Sequence, residues 1–347
     1  MTPDFDIKPL DPVLREKVLQ YIDDLAKPKG ALGYLEDIAL QLALIQGTLH
    51  PELHRPHHLL FCADHGIEEE GVSKSPRAVT WQQTLNFKRK GTAIDFLTRQ
   101  YGIELVVIDA GIDYDLPKDF GIIDYKIRRG TTNFRHEPAM SNDEYRLCIE
   151  RGARQVELAH RKGCNIISIG EMGIGNTSPS SIWMHLFTGI PLEQCVGAGS
   201  GLSTKELRNK LQVLSEAVDN APDLCTAEEI MTYFGGFEMV MTVGAMLKAA
   251  ELQMAIVVDG FIMTVCMLAA SRLNPNVLQY ALFGHKGDER GHALLLQFIK
   301  VRAILDLGMK LGEGTGAVVA FPIIKSAALM MTEMSTFSGE NIIEKYF

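Results

Sequence analysis

Cysteine pairing is the first thing this chain lacks: its six cysteines, Cys62, Cys148, Cys164, Cys195, Cys225 and Cys266, include no C-x-x-C pair. A zinc ribbon, a redox dithiol and a disulfide frame are therefore set aside, and reduced, mostly buried thiols in a cytoplasmic enzyme are expected instead. Runs of positive charge are also scarce. The longest is Lys88-Arg89-Lys90, and 43 acidic residues outnumber 34 basic ones for a net charge of -9, so no nucleic-acid partner is expected. No run of about 18 uninterrupted apolar residues occurs. The start, Met1 to Asp6, has neither a basic nor an apolar leader segment. No membrane partner is expected, and the protein is read as soluble and cytoplasmic.

Several familiar catalytic signatures are missing as well. There is no Gly-Lys-Ser/Thr phosphate loop, no correctly spaced G-x-G-x-x-G and no G-x-S-x-G elbow, which removes the usual support for ATP, dinucleotide and serine-nucleophile chemistry. His54 and His58 have zinc-like spacing, but Pro56 lies between them and no glutamate follows His54. A metal site assembled from Asp64-His65-Gly66, Glu68 to Glu70, His285 and His292 can be drawn on paper, yet no metal and no cofactor are expected.

What is present is a chain of 347 residues, 46% hydrophobic and 22% charged, with 31 glycines against 14 prolines. It exceeds the roughly 250 to 300 residues at which single cores stop growing, so a large domain with a smaller one is expected. Continuous apolar runs at His58–Ala63, Glu104–Asp109, Asn165–Ile169, Ala255–Val258 and Tyr280–Phe283 read as buried parallel strands. Helices are expected at Thr80–Tyr101, Asp143–Lys162, Ser203–Asn220, Phe237–Gln253 and Gly291–Leu307. This is an α/β pattern, a Rossmann-like parallel sheet with helices on both faces and functional loops at the carboxyl ends of the strands. Residues 11–47 read as a helical hairpin, and Ala317–Lys345 is also helix-like. Residues 1–50 with 325–347 are expected to form a small helical domain from both termini, beside a large catalytic domain at 51–324.

The chemistry-bearing segments share one device, glycines around a polar group. In Lys310-Leu311-Gly312-Glu313-Gly314-Thr315-Gly316 one carboxylate is held between glycines directly before an apolar run. Glycine permits φ > 0 and close approach to a ligand, so Glu313 reads either as a poised base or as an incidental surface turn. Gly170-Glu171-Met172-Gly173-Ile174-Gly175-Asn176-Thr177 follows a strand and precedes a helix, which suits a phosphate cradle or a tightly packed turn. Gly197-Ala198-Gly199-Ser200-Gly201 repeats the pattern, with Lys205, Arg208 and Lys210 nearby. Asp259-Gly260-Phe261 ends a strand, where the aspartate either caps a helix or aims an acid into a cleft.

Taken with Lys27-Pro28-Lys29-Gly30-Ala31-Leu32-Gly33, Ala63-Asp64-His65-Gly66 and Gly235-Gly236-Phe237-Glu238, these ordered motifs resemble those of the nicotinate-nucleotide:dimethylbenzimidazole phosphoribosyltransferases of cobalamin lower-ligand assembly. The resemblance implies a homodimer that moves ribose 5-phosphate from nicotinate mononucleotide to a benzimidazole-type base, releasing nicotinate. It places Glu313 as the catalytic base and Glu171 as the second active-site acid. Ser75, Trp81, Gln83 and Leu311 fall at the acceptor base, and Gly173, Gly175, Asn176, Gly199 and Lys210 at the nucleotide phosphate and ribose. Departures are Ala31 and Gly287 where serine is common, and Ala198 where many members have arginine; Lys286, Arg290 or a related partner subunit are the candidates to compensate. Trp81 is bulky, which leaves adenine and phenolic acceptors open beside benzimidazoles. A hydrolase of the same N-glycosidic bond and a non-catalytic nucleotide-binding protein would use similar parts.

Overall fold

The computed structural model describes residues 2–199 and 201–340. Ser200 of the third glycine run, Met1 of the leader reading and positions 341–347 of the expected terminal helix and domain lie outside the described residues. The strands are β1 (His57–Ala63), β2 (Glu104–Gly111), β3 (Ile123–Asp124), β4 (Ile166–Met172), β5 (Ala255–Val258) and β6 (Ala281–Phe283). They form a single six-stranded sheet of order β3-β2-β1-β4-β5-β6 in which every pairing is parallel. All residues of β1, β5 and β6 are buried, as continuous apolar runs demand of strands covered on both faces. The five expected strands all form. β3 has two residues and no apolar run of its own.

The helices are α1 (Pro12–Asp24), α2 (Tyr34–Gln46), α3 (Ala78–Lys88), α4 (Ala93–Tyr101), α5 (Asn142–Arg161), α6 (Thr177–Thr188) and α7 (Leu192–Cys195), followed by α8 (Thr204–Asp219), α9 (Ala227–Phe234), α10 (Phe237–Glu251), α11 (Phe261–Leu273), α12 (Arg290–Phe298), α13 (Thr315–Glu333) and α14 (Phe337–Glu340). Reciprocal capping boxes, Ser141 with Glu144 and Ser203 with Glu206, fix the starts of α5 and α8. Helix α10 packs across β1, β2, β4 and β5 and against α5. That crossing is close because Gly152 and Gly244 meet backbone, and a Cβ on either would overlap Met241 O or Ile149 O. Helix α13 packs on β4 and β5, and α3 on β1 and β4.

Three differences from the sequence pattern have local causes. The expected helix Thr80–Tyr101 is two, because Lys90 takes a φ of 62° and Thr92 caps a new start through Asp95 N. The expected helix Gly291–Leu307 stops at Phe298. Lys300 has a φ of 57°, and the following chain runs beside the end of β6, with Ile304 N donating to Phe283 O at 2.8 Å. Helix α11, absent from the pattern, is apolar on every side because it is buried; such a helix has no amphipathic period to detect.

Segments near the two ends of the described chain meet. Leu25 and Thr336 form an antiparallel bridge, Ala26 N donates to Ser335 O at 2.8 Å, and Tyr21 OH donates to Met331 O at 3.0 Å. Helix α2 packs on α13, which runs unbroken through positions 324 and 325. By length and composition α13 passes as a membrane span, but 61% of its apolar window is buried inside the protein. Strand order reverses between β1 and β4, so the crevice beyond their carboxyl ends is where an open parallel sheet places its ligands.

Candidate active site

That crevice holds a cavity of about 380 Å³ lined by the loops after β4, β5 and β6, by α3 and by the turn before α13. The turn is unusual in backbone conformation. Gly312, Glu313 and Gly314 take successive φ values of 82°, 62° and 79°, so a glutamate is held in the left-handed region where side chains are rare. The surroundings impose this. His58 on β1 places Nε2 3.0 Å from Glu313 O, with its Nδ1 2.7 Å from Ser168 Oγ. A carbonyl can only accept, so Nε2 carries the proton and Nδ1 accepts from Ser168; burial pushes the imidazole down to about 4, which keeps it neutral. Gly170 lies so close beneath the turn that a Cβ there would overlap Glu313 O.

The Glu313 side chain is 5% exposed. Its Oε1 accepts from Gln83 Nε2 at 2.8 Å, while Oε2 has no partner among the described residues. Burial raises its pKa, against the opposing effect of Gln83 and with that of the nearby Asp259 charge. Glu171, at the end of β4, is also buried and accepts from Asn176 Nδ2. Burial first, then Glu238, pushes it up to about 8, with smaller contributions from Asp259 and Glu313. Asp259, just past β5, accepts from Ala317 N in the first turn of α13 at 2.9 Å and lies 3.4 Å from His285 Nε2. Burial pushes its carboxyl up, but His285 and the backbone donors more than offset this and hold it below the usual range. Beneath them His65 Nε2 and Glu238 Oε1 pair at 2.7 Å, both fully buried.

The other end of the cavity has the opposite character. Helix α6 starts at Thr177 with Asn176 as its N-cap, so the positive end of the helix dipole lies at the Gly173–Gly175 turn, where Ser178 N donates to Gly175 O at 2.9 Å. Lys210 on α8 is completely buried, donates to Thr177 Oγ1 at 2.7 Å and stands 3.5 Å from Gly197 O. Burial pushes the ammonium down to about 8, with Glu289 opposing. Gly199, with a φ of 52°, donates its N–H to Glu289 Oε1 at 3.1 Å.

The structure thus brings Glu313, Glu171, Gln83, Leu311, Gly173, Gly175, Asn176 and Gly199 to one cavity, with Leu311 at its mouth and 58% exposed. Lys210 stands behind Thr177 and Gly199 rather than in the lining. Ser75 is half-buried outside the lining, which takes Val72 and Ser73 from the same segment. Trp81 is turned away and stacks on Tyr114 with centroids 4.3 Å apart and planes 12° apart. Lys286 pairs with Asp306 at 2.6 Å and Arg290 is exposed; neither lines the cavity. Sequence reasoning passed over Thr177 and Glu289 and left Asp259 and His285 unassigned, although Asp259-Gly260 and Gly284-His285 both sit at strand ends, where cavity residues are expected. Among the described residues no group of three or more His, Cys, Asp or Glu is arranged to hold a metal ion.

Comparison with known proteins points one way. The profile of a family described as phosphoribosyltransferase matches residues 7–342. A nicotinate-nucleotide–dimethylbenzimidazole phosphoribosyltransferase of Phocaeicola vulgatus is 57% identical over 99% of both chains, and one of Bacteroides fragilis is 54% identical over the same share. The crystal structure of CobT from Thermus thermophilus superposes with a TM-score of 0.92 at 35% identity, covering 96% of this chain and all of that one.

Proposed function

The chain belongs to the nicotinate-nucleotide:dimethylbenzimidazole phosphoribosyltransferase family of cobalamin biosynthesis, and from that premise we propose that Glu313 is the base that accepts the acceptor's ring proton. The observation that carries this is the asymmetry of the carboxylate of Glu313, a cavity-lining residue: Gln83 fixes Oε1, while the buried Oε2 has no partner among the described residues. A carboxylate whose pKa is raised by burial takes a proton more readily than one in water. The donor, nicotinate mononucleotide, carries a pyridinium that leaves as a neutral ring and needs no acid. The benzimidazole-type acceptor must lose its N–H as its other nitrogen bonds to C1′, so a single base is sufficient. Direct displacement on the β-linked donor then gives an α-ribazole phosphate and nicotinate.

Glu171 and Asp259 are assigned to stabilising the positive charge that develops on the ribose as the pyridinium departs as a neutral ring. A cation favours the ionised form of a neighbouring acid, so Glu171, with its pKa raised to about 8, gains charge as the donor binds. The α6 N-terminus, Gly173, Gly175, Gly199 and Lys210 are assigned to the donor phosphate. Gln83, Leu311, Ser75 and Trp81 retain the acceptor-side assignment, with Gln83 orienting the base and Trp81 acting only through its contact with Tyr114.

Residues 1–50 with 325–347 are proposed as a helical unit resting on the catalytic domain 51–324; the bridge between Leu25 and Thr336 supports it, although α13 belongs to both. A homodimer is proposed too, covering exposed Phe96 and Ile323 on the packed pair α4 and α13; a monomeric mass by light scattering would refute it. A cytoplasmic setting fits the free thiols, of which only Cys225 is exposed. The direct test is incubation with nicotinate mononucleotide and a panel of benzimidazole, adenine and phenolic bases, with products identified by mass. A ribosylated base phosphate is expected, and free ribose 5-phosphate as the sole product would overturn the reading.

A further inference from the structure

Glu289 is the N-cap residue of α12, yet its side chain makes no bond to that helix. It turns instead to the glycine run just after α7, beside which the start of α12 packs. Its Oε1 accepts from Gly199 N at 3.1 Å, and a Cβ on Gly197 would lie 2.6–2.7 Å from its carboxylate carbon and oxygens. The carboxylate is therefore seated in the Gly197–Gly199 turn. A Cβ on Gly199 would stand 3.7 Å from Lys210 Nζ, so the same turn brings the buried ammonium and the Glu289 carboxylate together. Lys210 is wholly buried, its hydrogen-bond partners among the described residues are the neutral Thr177 Oγ1 and Gly197 O, and the Glu289 charge acts on it as a counter-charge. A buried ammonium without an anion nearby is costly, which gives the carboxylate a reason to be there.

We propose that Glu289 is a resident anion of the donor-phosphate subsite, holding the glycine turn and Lys210 in register, and that the donor phosphate must displace it to bind. This rests on the assignment of Lys210 to the phosphate. Two anions cannot share one N–H donor and one ammonium without repulsion, so the competent fraction of sites is the fraction in which Glu289 has swung away. Apparent phosphate affinity is lowered by that fraction. The arrangement favours donors with a doubly charged phosphate over unphosphorylated nucleosides, because only the former outcompete a single carboxylate.

The test is calorimetric titration of the full-length protein with inorganic phosphate and with nicotinate mononucleotide, without acceptor base. Glu289→Gln keeps the shape and the Gly199 bond but gives up the charge, and is expected to bind both ligands on the order of tenfold more tightly, equivalent to about 1.4 kcal/mol. Glu289→Asp, which withdraws the carboxylate by one methylene, is expected to show a smaller gain in the same direction and serves if the glutamine variant fails to fold. In a Lys210→Ala background the gain should vanish. Unchanged or weaker phosphate binding in either folded variant overturns the proposal while leaving the Lys210 assignment intact, provided Lys210→Ala alone still weakens binding. If Lys210→Ala alone changes nothing, the phosphate assignment and this inference fall together.

Discussion

The two ends of the cavity solve opposite electrostatic problems with different materials. The acidic end uses side chains: Glu313, Glu171 and Asp259 come from a turn and two strand ends, and burial displaces the first two upward in pKa while His285 holds the third down. The end proposed for the phosphate relies on backbone, the dipole at the start of α6 and the N–H of Gly199, with Lys210 as its buried cation. Backbone donors bind a phosphate equally in ground and transition states, whereas a base acts only as a proton moves. Substitutions at the acidic end should therefore lower kcat, and those at the phosphate end should raise KM for the nucleotide.

The largest expected effect tests the acidic end. Glu313→Gln keeps the Gln83 contact and the turn but cannot accept a proton, so kcat should fall by on the order of 100- to 10,000-fold with a circular dichroism spectrum like that of the wild type. A near-normal rate would remove the base assignment. The counterpart is Lys210→Ala, which deletes a buried charged hydrogen bond worth roughly 1.5–3 kcal/mol. KM for nicotinate mononucleotide should rise by roughly 10- to 150-fold with kcat much less affected. A change confined to kcat would erase the contrast between the two ends.

A pH experiment reads the acidic end without substrate. Glu171 sits near 8 in the folded protein against 4.5 for an ordinary glutamate, so between those values the native state binds more protons than the unfolded chain. Stability is then greatest below about 4.5 as far as this group is concerned, and declines as pH rises to about 8, by at most about 1.4 kcal/mol per pH unit. Glu171→Gln should flatten the decline in denaturant midpoint over that window. An identical slope in the variant would show that Glu171 does not carry the displaced proton.

The reading of the two ends from sequence was uneven for physical reasons. Strands and cavity turns were legible because a doubly covered strand must be continuously apolar, and because the turn around Glu313 needs glycine on both sides at φ values of 82° and 79°. Glu289 and Thr177 were not, since their roles come from reaching across to α8 and the Gly199 turn, contacts that no local pattern encodes. The break between α3 and α4 was signalled by Gly91-Thr92 but outweighed by the apolar residues on either side. Trp81 is a different case, because its orientation follows from helix geometry alone. Val79 and Gln83, four residues apart on α3, share the face that lines the cavity, and Trp81 at the midpoint is turned about 200° away from each.

That geometry sets the smallest expected effect. Trp81 stacks on Tyr114 outside the cavity, so its bulk does not occlude the space that Val79, Gln83 and Leu311 line at the end proposed for the acceptor. Trp81→Phe should keep the stack and leave the ratio of kcat/KM for dimethylbenzimidazole over adenine within about threefold of wild type, the scale of about 0.6 kcal/mol. Val79→Ala, which enlarges the cavity itself, should move that ratio further. If the tryptophan variant instead shifts acceptor choice more than the valine variant does, the acceptor end is shaped by the second layer of packing behind α3, and Tyr114 becomes the next residue to change.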